Sequence, residues 1–137
     1  MTGQDATTLV YQAMPLCATL GVRAEKYTAE EVVLTLDWAP GLCTTGGILH
    51  GGVIMALADS AGAACAFLNL PKDASGTATI ESKTNFLGAV RAGSVIATAK
   101  PLHAGGTTIV VETSVRDSAG RLVAKVTQTQ MVLRPSN

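Results

Sequence analysis

Charge is scarce in this chain. Only 15% of its 137 residues are Asp, Glu, Lys or Arg, and the two signs cancel to a formal charge of zero. No cluster of basic residues interleaved with aromatics occurs, and aromatics make up only 4%. These shortages argue against a nucleic-acid partner. Because 47% of the residues are hydrophobic, a monomer would lack polar surface, and we expect an oligomer.

Cysteines are also few, and no targeting segment is evident. Cys17, Cys43 and Cys65 are odd in number, irregularly spaced and set among apolar or small residues, which is typical of reduced core thiols. We therefore expect a cytoplasmic protein. The N-terminus lacks the pattern of a secretory signal, and the longest apolar stretch carries an acid at its centre, so we expect no membrane partner.

The length suits one domain, which we place at residues 1–137. The apolar spacing predicts a short amphipathic helix over Thr7 to Leu20, which Pro15 can kink and Gly21 can end. From Val22 to Trp38 the pattern changes to the alternation of a half-buried strand.

The C-terminal half is rich in β-branched residues in alternating positions. Because the connections are short, we expect consecutive strands to be antiparallel neighbours. Four strands are predicted: Thr77 to Leu87, Gly93 to Leu102, Thr107 to Asp117 and Arg121 to Leu133.

The run from His50 to Leu68 departs from this β pattern, since Ala, Leu, Met and Gly dominate it. As a helix it would be apolar all round and about 28 Å long, so we expect it to be buried on every side. The predicted fold class is α+β, with a curled antiparallel sheet wrapped around this long central helix.

Asp59 is the only charged residue between Asp37 and Lys72, and it lies within the apolar run. Burying an ionised carboxylate is costly unless hydrogen bonds compensate. A carboxylate in this position therefore usually has a reason, and catalysis is one of the commonest.

A motif surrounds this acid. The segment from Gly47 to Gly52 reads Gly-Ile-Leu-His-Gly-Gly, Asp59 follows seven residues later, and β sequence comes next. This pattern resembles the hotdog-fold acyl-CoA thioesterases, most closely the phenylacetate-degradation (PaaI-type) group. The resemblance runs roughly from Leu16 to Leu133.

The resemblance implies a single hotdog fold that pairs into a homodimer or a homotetramer, the latter as a dimer of dimers. It also implies an acyl- or aroyl-CoA substrate and no metal or redox cofactor. It maps the family's acidic residue onto Asp59, its oxyanion amide onto Gly51 and its histidine onto His50. The alternative roles are structural: His50 could simply orient its loop, and Gly51 and Gly52 could serve close packing of helix and sheet.

Spacing along the helix predicts a shared site. Thioester hydrolysis needs an activated water or a carboxylate nucleophile on one side of the carbonyl, and donors for the oxyanion on the other. Gly52 and Asp59 lie about 10 Å apart along one helix, whereas both groups must come within about 3 Å of the same carbonyl. We therefore expect Gly51 of one subunit to work with Asp59 of its partner.

Substrate contacts are expected elsewhere. Thr44 stands where the family often has Asn or Gln, and Thr79 aligns with a Ser or Thr that positions water or substrate in some relatives. Gly106, Thr107 and Thr108 form a turn whose amides and hydroxyls could bind the coenzyme A phosphates, although Gly106 replaces the family's frequent basic residue. A strand threonine and a glycine turn also have ordinary structural roles.

Two alternative functions stay open. A hotdog hydratase or dehydratase would use a histidine with a nearby acid, but the typical Asp-then-His spacing is absent here. A non-catalytic acyl-CoA-binding module would not need the acid, so the presence of Asp59 argues against it.

Overall fold

Two short helices begin the chain in the computed structural model, which describes residues 2–136. Helix α1 spans Gly3–Ala13 and helix α2 spans Pro15–Leu20. The prediction of one kinked helix is wrong, because Met14 leaves the helical region (φ −134°, ψ 87°), as the residue before a proline tends to do. Gly21 ends α2 as predicted, in the left-handed conformation with φ 75°.

The segment predicted as one strand is a hairpin. Strand β1, Arg23–Tyr27, pairs with β2, Val32–Asp37, in an antiparallel ladder. Backbone hydrogen bonds between Thr28 and Glu31 close the turn. On β2 the inward positions are as expected, since Val32, Leu34 and Leu36 are fully buried, but Thr35 on the other face is buried as well.

The remaining strands match the four predicted ones to within a few residues. They are β3 Gly76–Phe86, β4 Ser94–Ala104, β5 Thr108–Asp117 and β6 Leu122–Leu133. Together they complete a six-stranded antiparallel sheet in the order β1-β2-β4-β5-β6-β3.

The expectation that consecutive strands are neighbours fails at β3. This strand pairs with β6 and forms an edge of the sheet, three positions from β4. That separation is about 14 Å, and the seven-residue connection between Phe86 and Ser94 can reach about 23 Å when extended. The connection is therefore long enough to cross the end of the sheet.

A β-bulge interrupts β3. Thr79 pairs with Gln130 and Glu81 with Thr129, so Ile80 is the extra residue. Before the bulge Thr79 lies on the helix-facing side, and after it Ser82, opposite Gln128, takes that side. The bulge thus sets which β3 side chains face the helix.

Helix α3, Gly51–Leu68, packs against β2 to β6 and is wrapped by the sheet. This confirms the predicted α+β arrangement. The helix is not buried on every side, however, because Gly52, Met55, Asp59 and Phe67 form an exposed stripe. Its length and mean hydropathy of 1.6 would suit a membrane span, but half of it is buried in the protein, as in a core helix.

Candidate active site

The start of α3 presents one free amide. His50 is the N-cap, and its Nδ1 accepts a hydrogen bond from the Gly52 N–H at 2.8 Å. Because Nδ1 accepts, the proton of the neutral ring is on Nε2. Among residues 2–136 the Gly51 N–H has no acceptor. Gly51 therefore offers the donor at the positive end of the helix, whereas the amide of Gly52 is occupied.

Both glycines have close side-chain neighbours. A Cβ at Gly51 would lie 3.1 Å from Cζ of Phe86, whose ring covers this position, and one at Gly52 would lie 3.0 Å from Nδ1 of His50. The glycine pair thus admits an aromatic ring on one side and the capping imidazole on the other.

The loop before α3 holds Thr44 at the surface. The Thr44 N–H donates to the Ile48 carbonyl at 2.8 Å, and Trp38 Nε1 donates to the Gly47 carbonyl at 3.0 Å. Within the described part of the chain the Thr44 hydroxyl makes no hydrogen bond. The structure therefore leaves this side chain free, without joining it to Asp59.

Asp59 lies on the exposed stripe of α3, two turns after Gly51. Its Oδ1 accepts from Gln128 Nε2 at 3.2 Å and from Thr79 Oγ1 at 3.4 Å. Thr79 in turn accepts from Gln130 Nε2. The structure thus brings Asp59 and Thr79 together and adds two glutamines.

Sequence reasoning missed Gln128 and Gln130. They continue the phase of Ala124 and Val126, which are buried on the inner face of β6, and they are themselves 0% and 1% exposed. Two amides at alternate, otherwise apolar positions of a strand are unusual in a core. That interruption of the apolar alternation is the signal that could have revealed them.

Gln128 lies directly against Gly62 of α3. A Cβ at residue 62 would come within 1.8 Å of Gln128 Oε1, so only glycine leaves room for the amide. Among residues 2–136 this oxygen is buried without a hydrogen-bond partner. An unsatisfied buried acceptor costs about 1–3 kcal/mol of stability. The amide is therefore retained despite a cost to the fold.

An apolar groove adjoins the acid. Its volume is about 590 Å³, and side chains from α1, β1, α3 and β3 line it, among them Leu9, Met14, Ala63, Phe67 and Thr77. Ala63 follows Asp59 by one helical turn, and Thr77 precedes Thr79 on the same face of β3. No charged residue lines the groove within the described residues, so it suits an apolar group.

The turn between β4 and β5 contains Gly106 and Thr107, and Thr108 begins β5. Arg134 donates from Nη1 to the Gly106 carbonyl at 2.6 Å, and its Nε lies 2.7 Å from Asp73 Oδ2. The guanidinium lowers the pKa of the Asp73 carboxyl. Among residues 2–136, Arg134 is the arginine that hydrogen-bonds to this turn.

The cysteines and acids offer no metal site. Among residues 2–136, no three His, Cys, Asp or Glu side chains converge as metal ligands. Cys17 and Cys65 are buried and Cys43 is partly buried, all with free thiols. Burial raises the pKa of the Cys17 thiol and raises that of Cys65 to about 11, which fits inert core thiols.

Comparison with known proteins decides the family. The family described as Thioesterase superfamily matches residues 46–124, more than half of the chain, including the helix start and Asp59. The chain belongs to the thioesterase superfamily. The match thus covers the part of the chain that presents the Gly51 amide and the carboxylate.

Relatives of this thioesterase-superfamily chain agree in length and fold. Putative esterase SSO2140 of Saccharolobus solfataricus is 33% identical over 115 residues, covering 84% of this chain and 81% of that protein. A thioesterase family protein from Silicibacter pomeroyi is 28% identical with a TM-score of 0.84, covering 94% and 96%. Thioesterase HI1161 from Haemophilus influenzae, at 24% identity and a TM-score of 0.87, covers 98% and 92% and shares the hotdog fold.

Proposed function

We propose that this protein hydrolyses an acyl- or aroyl-CoA thioester to the free acid and coenzyme A. Two groups on α3 carry the proposal. The N–H of Gly51 has no acceptor among residues 2–136, and the carboxylate of Asp59 is exposed one helical turn from an apolar groove. Oxyanion stabilisation and water activation need these two groups.

The chemistry requires a base or nucleophile and an oxyanion donor. As a base, Asp59 removes a proton from water, whose oxygen attacks the thioester carbonyl; as a nucleophile, its carboxylate oxygen attacks and water later cleaves the anhydride. In both cases the Gly51 N–H donates to the oxyanion. The C–S bond breaks when the tetrahedral intermediate collapses, which gives the acid directly in the base route and the anhydride in the nucleophilic route. The departing thiolate takes the proton held by Asp59 in the base route, or one from solvent in the nucleophilic route, to give coenzyme A.

The two groups come from different subunits in this proposal. Gly51 and Asp59 are eight residues apart on one continuous helix, or about 12 Å along its axis, too far to act on one carbonyl. A homodimer, alone or within a tetramer, would bring one chain's amide to the other chain's acid. The exposed stripe of α3 and the exposed edge strand β3, with Ile80 and Phe86, support such pairing.

The groove and the β4–β5 turn fit the two ends of such a substrate. An uncharged acyl chain or aromatic ring suits the groove beside Asp59, because its lining is apolar. The turn of Gly106, Thr107 and Thr108, with Arg134 beside it, suits the coenzyme A phosphates.

Sequence features also support a subgroup of the family and a cellular location for the protein. The His50-Gly51-Gly52 motif with Asp59 supports a PaaI-type acyl-CoA thioesterase. The three free thiols support a cytoplasmic location.

Release of free coenzyme A from a panel of acyl- and aroyl-CoA substrates tests the function. We expect turnover by the wild type and a fall in kcat of about 100- to 10,000-fold in Asp59→Asn, which keeps the shape but cannot accept a proton. Glu30→Gln is a matched control, since Glu30 is exposed and makes no ion pair among residues 2–136. Tight binding without turnover would instead favour the non-catalytic module.

A separate comparison tests the phosphate contact. Arg134→Gln should raise KM for an acyl-CoA by about 3- to 10-fold with kcat nearly unchanged, because it removes binding that ground and transition states share. The same acyl group on pantetheine, which lacks the nucleotide phosphates, should show no change. Arg91→Gln serves as the control, and equal effects on both substrates would contradict the assignment.

A further inference from the structure

We infer that Gln128 and Gln130 are positioning residues that hold Asp59 by one oxygen, so that its other oxygen, Oδ2, performs the reaction. The inference rests on the proposed function of Asp59. Both hydrogen bonds to this carboxylate end on Oδ1, from Gln128 at 3.2 Å and from Thr79 at 3.4 Å. Within residues 2–136, Oδ2 has no partner.

The two glutamines reach the acid by different routes. Gln128 donates directly, whereas Gln130 donates to the hydroxyl of Thr79, which in turn donates a hydrogen bond to Asp59. Donation from Gln130 fixes the direction of this chain, because an amide N–H can only donate and the threonine oxygen must accept it. The hydroxyl is thereby left to donate toward the carboxylate.

The backbone sets up this arrangement. Gln130 and Thr79 are direct partners in the β3–β6 ladder, and the bulge at Ile80 follows immediately. Gln128, two residues earlier on β6, shares the inner face and lies opposite Ser82. A carboxylate on the exposed stripe of α3 is thus contacted by groups anchored in the sheet, which limits its rotation.

Packing alone does not account for the buried amides. Gln128 is fully buried, and its Oε1 has no partner among the described residues. Its place against α3 also requires a glycine at position 62. Methionine has a similar length and would fill the site without an unsatisfied oxygen. What the amide provides and methionine cannot is the donor to Asp59.

The first test compares Gln128→Met and Gln130→Met with the wild type. We expect kcat to fall about 10- to 100-fold in Gln128→Met, and less in Gln130→Met, with KM within about threefold, because a misplaced carboxylate slows the chemical step. The Tm of Gln128→Met should be unchanged or higher. A lowered Tm with full kcat would show a structural role and overturn the inference.

Thr113→Val is the matched control. Thr113 is a fully buried polar residue of β5. Its Oγ1 has no hydrogen-bond partner in the described chain, so it does not bond to Asp59, Thr79 or the two glutamines. Its replacement should leave kcat unchanged. An equal loss of kcat in this variant would mean that any polar-to-apolar change in the core disturbs the site.

Thr79 supplies a second route if Gln128→Met does not fold. Thr79→Ser keeps the hydroxyl and should retain most of kcat, whereas Thr79→Val keeps the shape and should lose about tenfold or more. Equal activity of the two variants would contradict a role for the Thr79 hydroxyl in holding Asp59.

Crystal structures of the wild type and Gln128→Met separate this inference from the proposed function. If the wild type cleaves no thioester, the proposed function fails, but the position of the Asp59 carboxylate still answers the structural question. We expect the carboxylate to leave its wild-type position or to become less ordered in the variant, because the Thr79 hydroxyl alone then holds Oδ1. An unchanged, equally ordered carboxylate would overturn the inference.

Discussion

The start of α3 depends on three adjacent residues with different roles, His50, Gly51 and Gly52. The imidazole accepts the hydrogen bond of the Gly52 N–H, and the Gly51 N–H has no acceptor among residues 2–136. The family resemblance pointed to Gly51 as the oxyanion donor, but the sequence contained no information on which amide the histidine would take. Only the direction of the His50 side chain, set by its role as N-cap, makes the distinction.

Cys65 gives a prediction at the level of one residue. Burial raises the pKa of its thiol from 9.0 to about 11, so the folded protein favours the neutral form. The unfolded chain ionises this thiol first as the pH rises. The stabilisation is therefore complete below pH 9 and is lost as the pH rises through about 11.

Urea unfolding across this pH range measures the effect. The free energy of unfolding should fall between pH 9 and about 11 more steeply in the wild type than in Cys65→Ala. Comparison with the variant separates Cys65 from Tyr27, whose pKa burial also raises. Cys43→Ala, at a partly exposed position, should follow the wild type, and parallel curves for all three proteins would contradict the prediction.

Among the secondary-structure elements, β3 differs most from the prediction in its position within the sheet. Its strand character was predicted from alternation, but its pairing with β6 and its bulge at Ile80 were not. Alternation identifies a strand and its two faces, whereas strand order depends on which edges the whole sheet leaves open. The bulge matters because it places Thr79 against Asp59.

Helix α3 gives a prediction about its cap. His50→Ala removes the acceptor for the Gly52 N–H and should lower the free energy of unfolding by about 1 kcal/mol, while His50→Asn should retain most of it. We also expect His50→Ala to lower kcat, because the turn that presents Gly51 loses its anchor. Urea unfolding and coenzyme A release measure the two effects.

The cap of α1 provides the matched control. Thr2 accepts from the Asp5 N–H at 3.1 Å, so Thr2→Ala should cost similar stability with kcat unchanged. If both cap variants lose kcat equally, the effect reflects general loosening and not the site.

For the molecule as a whole, one chain cannot bring both proposed catalytic groups, the Gly51 N–H and the Asp59 carboxylate, to the same carbonyl. Gly51 and Asp59 lie on a single rigid helix, so no movement within the chain brings them together. The exposed stripe of α3 and the edge strand β3 lie where a second copy could complete the site.

Subunit mixing tests this arrangement. Gly51→Pro removes the N–H at the first helical position, where proline is tolerated, and Asp59→Asn removes the carboxylate. Each variant alone should be inactive. After unfolding and refolding together in equal amounts, the mixture should recover about a quarter of wild-type activity, since half of the dimers hold one intact site of two. No recovery, with mixed dimers present, would contradict the shared site.

The sequence by itself determined the secondary structure of most of the chain, the apolar helix at its centre and the exceptional carboxylate within it. Those features are local, because they depend on periodicity, turn residues and a charge among apolar neighbours. Only the tertiary structure decided that β3 lies beside β6, that one face of α3 stays exposed, and that Gln128 donates to Asp59 while Gln130 donates to Thr79. Gln128 and Asp59 are 69 residues apart in the chain, and contacts over such separations arise only when the sheet closes around the helix.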